Sequence, residues 1–163
     1  FLEAEEIVDG FHLSPTYQQR IVWGNVNMYH INDHFVKPLT LPARCSYVEL
    51  IAEGPQEPQW FVSHFWGGLF WRLVRMLAFH AKTRGLGEGA VFWICTFANN
   101  QHNLSELEGG VKETPFYRAI NSEGCRGVVV VLGDAECKPF TRIWCCFEVA
   151  VLVGVLRMQQ RDP

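Results

Sequence analysis

The sequence predicts an α/β fold: a doubly wound, mostly parallel sheet covered by helices on both faces. Three observations carry that expectation. The short stretches WFVSH (60–64), VFWICTFA (91–98) and GVVVVLG (127–133) have the length and the β-branched or aromatic content of buried strands. Stretches with helical spacing separate and follow them, GLFWRLVRMLAFHAKTRG (68–85) most clearly. Strands that are apolar throughout, in alternation with helices, belong to a parallel sheet with no solvated face.

Taken in order, residues 1–58 hold five of the eight prolines and no strong periodicity. They are expected to form an N-terminal arm of short elements, with a helix around CSYVELIAEG (45–54), that wraps or precedes the domain of residues 59–163. The first strand, 60–64, leads into the amphipathic helix 68–85, which Gly85 closes, and 91–98 is expected to be a strand along its whole length. A polar loop, 99–113, precedes a short helix begun by Thr114 and Pro115. The third strand, 127–133, is followed by a helix from Arg142 that carries IWCCFEVAVLVGVL (143–156).

Composition narrows the function classes. A chain of 163 residues can bury a sizeable core. Its 48% apolar, 13% aromatic and 19% charged residues argue against disorder and for an aromatic interior or docking surface. A net charge of -3 with scattered basic residues argues against nucleic acid and anionic lipid as partners. The six cysteines form no CxxC and no Cys/His pair at zinc spacing, so no metal site is expected. They read as reduced, buried thiols of an intracellular, reducing compartment. A thiol redox role for Cys145 and Cys146 ranks last, because both should be poorly exposed and poorly ionised in an apolar helix. The run 143–156 falls short of the roughly 20 residues that a membrane span needs. The chain opens at Phe1 rather than Met and closes at Pro163, which reads as a processed chain or a fragment; a removed targeting segment would admit an organelle.

Ligands of open parallel sheets sit beyond the carboxyl ends of the strands. That rule gathers Ser63 and His64, then Asn99, Asn100 and Gln101, then Asp134. Glu148 stands four residues after Trp144, so carboxylate and indole share a helix face. An aromatic plate beside an acid suits a flat ring on a ribose. The alternative is purely structural: strand-end polar residues cap helices and bind loop backbones, and Glu148 pairs with Arg142, Arg157 or backbone amides.

Taken together, WFVSHFWG, the helix after it, FWICTFANNQ, TPFYRAI, GVVVVLG and IWCCFEV resemble the Toll/interleukin-1 receptor (TIR) domain. The resemblance covers about 37–157 and extends to a TIR-like family of unicellular algae, which shares the upstream stretch from Lys37 to His64. It implies a flavodoxin-like, TIR-like sheet that stops after the third conserved strand and its helix. It also implies a role as a protein–protein interaction module, an accessory or assembly subunit that binds other subunits or itself, with no firm cofactor. The alternative it implies is an NAD glycohydrolase that cleaves the nicotinamide–ribose bond. Trp144, Cys145 and Glu148 match the W-C-x-x-E spacing of enzymatic members. Glu148 would then be the essential catalytic carboxylate, with Trp144, Ser63, His64, Asn99 and Asn100 binding the nucleotide. Gly68 stands where the family carries an acid, and the loop 99–113 offers Lys112 as its cation.

Overall fold

The computed structural model describes residues 21–105, 110–133 and 137–159. Strands β1 (Trp60–His64), β2 (Phe92–Trp93) and β3 (Gly127–Val131) form a parallel sheet in the order β2-β1-β3. In the central strand, Trp60 to His64 lie opposite Gly127 to Val131 on one side, and Trp60 and Phe61 lie opposite Phe92 and Trp93 on the other. All five residues of β1 are buried. A strand enclosed on both faces has no need of polar alternation, and WFVSH shows none along its apolar part.

In chain order the helices are α1 (Met28–Ile31), α2 (Lys37–Thr40), α3 (Tyr47–Ile51), α4 (Phe70–Thr83), α5 (Cys95–Ala98), α6 (Pro115–Ile120) and α7 (Ile143–Gln159), with a π-helical turn, Asn32–Val36, joining α1 to α2. Successive side chains of a strand point to opposite faces. Accordingly Val62 packs with Ile21, Val26, Met28 and Leu73, whereas Phe61 packs with Phe116, Ala119, Ile120 and Val151. Helices therefore cover both faces of the sheet, a general α/β arrangement. The described part of the segment expected to be an arm supplies Ile21, Val26, Met28, Ile31 and Val36 to the same core as β1 and α4. It is packed on the sheet.

Local chemistry sets the helix ends. The Asn27 side chain accepts from the His30 N–H at 3.2 Å, and His30 Nδ1 accepts from the Asn27 N–H at 3.3 Å. At α3, the Glu49 N–H donates to Ser46 Oγ at 3.2 Å while Glu49 Oε2 accepts from the Ser46 N–H at 2.7 Å, which holds the Glu49 carboxyl below its ordinary pKa. Replacing Ser46 by alanine should cost about 1 kcal/mol of unfolding free energy, measured by urea titration; an unchanged midpoint would show that the cap contributes nothing. The helix α4 ends where the Leu86 N–H bonds the Ala81 carbonyl and the Gly85 N–H bonds the Lys82 carbonyl. That closure needs the positive φ of 62° at Gly85, which a side chain would strain.

The expected strand over 91–98 is corrected. Pairing stops after Trp93, Ile94 stays extended, and Cys95–Ala98 turn into α5. The Gln101 side-chain amide donates to the carbonyls of Cys95, Thr96 and Asn99 at 3.1, 3.2 and 3.3 Å, which satisfies the helix end from outside. An apolar run of that length fits a buried strand and a buried helical turn equally well, and this side-chain cap decides between them. The first strand keeps its expected limits and the third its expected start, while the other limits move by one to three residues.

Candidate functional site

At the carboxyl end of β1 lies a cavity of about 390 Å³. Its polar and ionisable walls are His64, Asn99, Gln101, Arg142, Cys95, Cys145 and Glu148, and its apolar walls include Tyr29, Phe65, Trp66 and Phe116. Five parts of the fold converge there: α1, the end of β1, the α5 turn with its following loop, α6 through Phe116, and the start of α7. The strand alternation that sends Phe61 towards α6 and α7 also sends Ser63 that way, towards Glu148.

Glu148 is the centre of this arrangement. It is 5% exposed, and its Oε2 has no hydrogen-bond partner among the described residues. Burial pushes its pKa up to about 7, and the Ser63 hydroxyl opposes that shift slightly. Ser63 Oγ lies near the carboxyl group without meeting the distance and angle of a hydrogen bond, and it too is buried without a partner. The ion pair expected for a structural acid is not formed with Arg142, whose guanidinium instead sits 5.6 Å from the Phe65 ring centre. The Arg157 side chain lies outside the described residues. A buried carboxyl left without partners costs free energy, and such groups concentrate where a ligand completes them.

The histidine and the two cysteines beside it are held in neutral form. The His64 imidazole is 7% exposed, its Nε2 is unpartnered, and burial lowers its pKa to about 4. The Cys95 thiol accepts from Trp66 Nε1 at 3.2 Å, and burial raises its pKa to about 11, with the Glu148 charge adding to the rise. Burial and Glu148 also raise Cys145, whose thiol donates to the His64 carbonyl at 3.6 Å. At neutral pH the lining therefore carries one half-ionised acid, two neutral thiols, a neutral imidazole and the Arg142 guanidinium. Two neutral thiols are poor nucleophiles. Cys146, expected to be poorly exposed, is exposed, with its thiol 3.1 Å from the Phe140 carbonyl; in a helix, neighbouring residues point about 100° apart, which turns it away from the buried Cys145.

Of the residues expected at the site, Glu148, His64 and Asn99 line the cavity and Ser63 backs it. Asn100 is not brought in: its amide donates to the Arg44 carbonyl at 2.6 Å and its Oδ1 accepts from the His102 N–H at 2.9 Å, which ties the loop to the segment before β1. The Trp144 side chain and Asp134 lie outside the described residues. Lys112 is exposed and lines no part of the cavity. Sequence reasoning missed the wall formed by Tyr29, Phe65 and Trp66, and Tyr29 comes from the segment read as an arm. The Tyr29 and Trp66 rings meet edge to face at 5.4 Å. An aromatic pair dense enough to raise suspicion was visible in HFWGG, but no local signal links it to Tyr29.

Among the described residues no His, Cys, Asp and Glu side chains are grouped as a metal site would need, and no helix is long and apolar enough to cross a membrane. No family model, curated protein or solved structure matches the chain.

Proposed function

We propose that this chain is a TIR-like unit whose strand-end cavity binds NAD and cleaves its nicotinamide–ribose bond, with Glu148 as the essential carboxylate. The observation that carries the reading is the buried, unpartnered Glu148 carboxyl at the wall of a cavity flanked by aromatic rings. The strand order β2-β1-β3 agrees with the first three strands of a flavodoxin-like 2-1-3-4-5 sheet, which supports the TIR-like assignment.

In this reading Tyr29, Phe65 and Trp66 enclose the flat nicotinamide ring. The ionised Glu148 accepts hydrogen bonds from the ribose hydroxyls and stabilises the positive charge that grows on C1′ and the ring oxygen as the C–N bond breaks. The bonding pair leaves with neutral nicotinamide. Water adds to the ribose carbon and gives up a proton, yielding ADP-ribose. Burial of Glu148 strengthens its attraction for the developing cation. The neutral thiols of Cys95 and Cys145 keep competing nucleophiles out of the site. Incubation of NAD with the folded chain, followed by proton NMR, tests the proposal: signals of free nicotinamide and ADP-ribose should appear together. Intact NAD after prolonged incubation at protein concentrations that permit self-association would contradict it.

A second reading, a protein-docking module that works as an accessory or assembly subunit, is favoured by a separate observation. Leu132 just after β3, Phe140, and Ile143 at the start of α7 are 40%, 52% and 81% exposed, and the outer edge of β3 pairs with no described strand. This reading is compatible with the first. Sedimentation velocity tests it: concentration-dependent association that Ile143→Lys abolishes is expected, and a monomer at every concentration would count against self-assembly.

A further inference from the structure

A smaller cavity of about 100 Å³ lies on the other side of His64 and Phe65, which line both cavities. Its wall is made by the turn Gly67–Leu69, the start of α4, the end of β3 at Leu132 and Gly133, and the cations Arg72 and Lys138. Three features of this wall favour an anion. No described carboxylate lines it. The first turn of the 14-residue α4 has neither an acidic residue nor a side-chain cap; the Val26 carbonyl accepts from the Phe70 N–H at 2.8 Å, so the helix offers the cavity its dipole rather than free amides. Arg72 is held in place by its bond from Nη1 to the Gly133 carbonyl at 3.0 Å, which leaves its other guanidinium N–H groups for a ligand.

The independent observation is His64. It is more than nine-tenths buried, its ring lines this cavity, and its Nε2 has no hydrogen-bond partner. A buried ring nitrogen without a partner is costly, and in the tautomer that carries its proton on Nε2 the ring would donate to an anion in the cavity. A Cβ on Gly67 would lie 2.5 Å from the tip of the Phe65 ring, so a side chain there would displace the ring that separates the two cavities. A volume of about 100 Å³ is roughly that of three waters, enough for one tetrahedral group and too small for a sugar or a base.

We infer that the smaller cavity is a phosphoryl subsite, held by Arg72, Lys138 and His64 beside the N-terminus of α4. It would take the phosphate next to a ribose in the larger cavity, so the ligand class is a nucleoside phosphate that passes along the shared wall of His64 and Phe65. The assignment to a nucleotide rests on the proposed function above; the anion site itself does not.

Binding of nicotinamide mononucleotide and nicotinamide riboside, which differ by one phosphate, tests the inference by calorimetry at low salt. For the wild-type chain the mononucleotide should bind on the order of tenfold tighter or better, a gain that shrinks as salt is added. In the double variant Arg72→Gln/Lys138→Gln the two should bind alike, with the riboside affinity unchanged. Equal binding by the wild type, or a gain that survives the double variant, would overturn the inference. So would a gain erased instead by Arg142→Gln, which would put the phosphate in the larger cavity. Inorganic pyrophosphate separates this inference from the proposed function. If neither nicotinamide compound binds, but pyrophosphate raises the melting temperature of the wild type and not of the double variant, the anion site stands and the NAD reading falls. If pyrophosphate acts equally on both proteins and the mononucleotide gains nothing, the anion site falls whatever the riboside does.

Discussion

Replacing Glu148 by glutamine is expected to lower nicotinamide release from NAD roughly 100- to 1,000-fold while leaving the chain folded. The amide keeps the size of the side chain and removes the charge that faces the developing oxocarbenium ion. The same substitution should change the pH dependence of stability in a defined direction. In the folded chain Glu148 titrates at about 7, against 4.5 for the free side chain, so between those values the folded state binds more protons than the unfolded one. Stability attributable to this group is therefore full below pH 4.5 and lost as the pH rises to 7. The wild type should lose ~3 kcal/mol relative to Glu148→Gln across that interval. His64 works oppositely, since its folded pKa of about 4 lies below 6.5 and favours folding as the pH rises between them. Its contribution is common to both proteins and cancels in the difference. Denaturant titrations of the pair at pH 4, 5, 6 and 7 check the prediction, and parallel curves would show that Glu148 titrates normally. The unpartnered acid thus destabilises the fold at neutral pH, the expected signature of a group kept for chemistry.

Phe61→Ala should destabilise the chain by about 3–5 kcal/mol. Phe61 is fully buried in the central strand, stacks on Trp93 with ring centres 4.8 Å apart, and touches the Phe116 ring at 6.3 Å. No neighbouring element can close over the gap easily. The sheet fixes it from both sides, and α6 and α7 lie against it through Phe116, Ala119, Ile120 and Val151. A loss of that size is a large share of the stability of an ordinary domain. It would also release the end of β1 that carries Ser63 and His64, so NAD cleavage should fall with the folded fraction. A loss below about 1 kcal/mol, read from the urea midpoint at constant m value, would show that the site is not buried as described.

The parts legible in the sequence were those written in local patterns. Strand β1, the amphipathic α4 with its closing Gly85, the Thr114-Pro115 start of α6, β3 and α7 all follow from apolar spacing and capping residues close in sequence. Ser63 and His64 stand at a strand end, where ligands of parallel sheets sit, and Asn99 and Glu148 join them from the helices that follow β2 and β3. What escaped depends on distant partners. The α5 turn is set by Gln101, three residues beyond its end, and the covering of β1 by Ile21 to Val36 arises from packing with no periodic signal. Asn100 looked like a site residue by position alone; its two hydrogen bonds, one of them to Arg44, have no trace in the local sequence. The same holds for His64, whose place between two cavities follows from the turn at Gly67 and the seating of Arg72 on Gly133.

The most direct test of the central claim, that Glu148 is the working carboxylate of an NAD-cleaving cavity, joins two titrations of one protein. Carbon-13 NMR of the Glu148 side-chain carboxyl, assigned by its loss in Glu148→Gln, gives the ionisation of the group; kcat/KM for nicotinamide release gives the ionisation that catalysis needs in the free enzyme. Both should rise through a common midpoint near pH 7, with kcat/KM falling tenfold per pH unit well below it. A carboxyl that titrates near 4.5, or a measurable kcat/KM that ignores the Glu148 midpoint, would contradict the account.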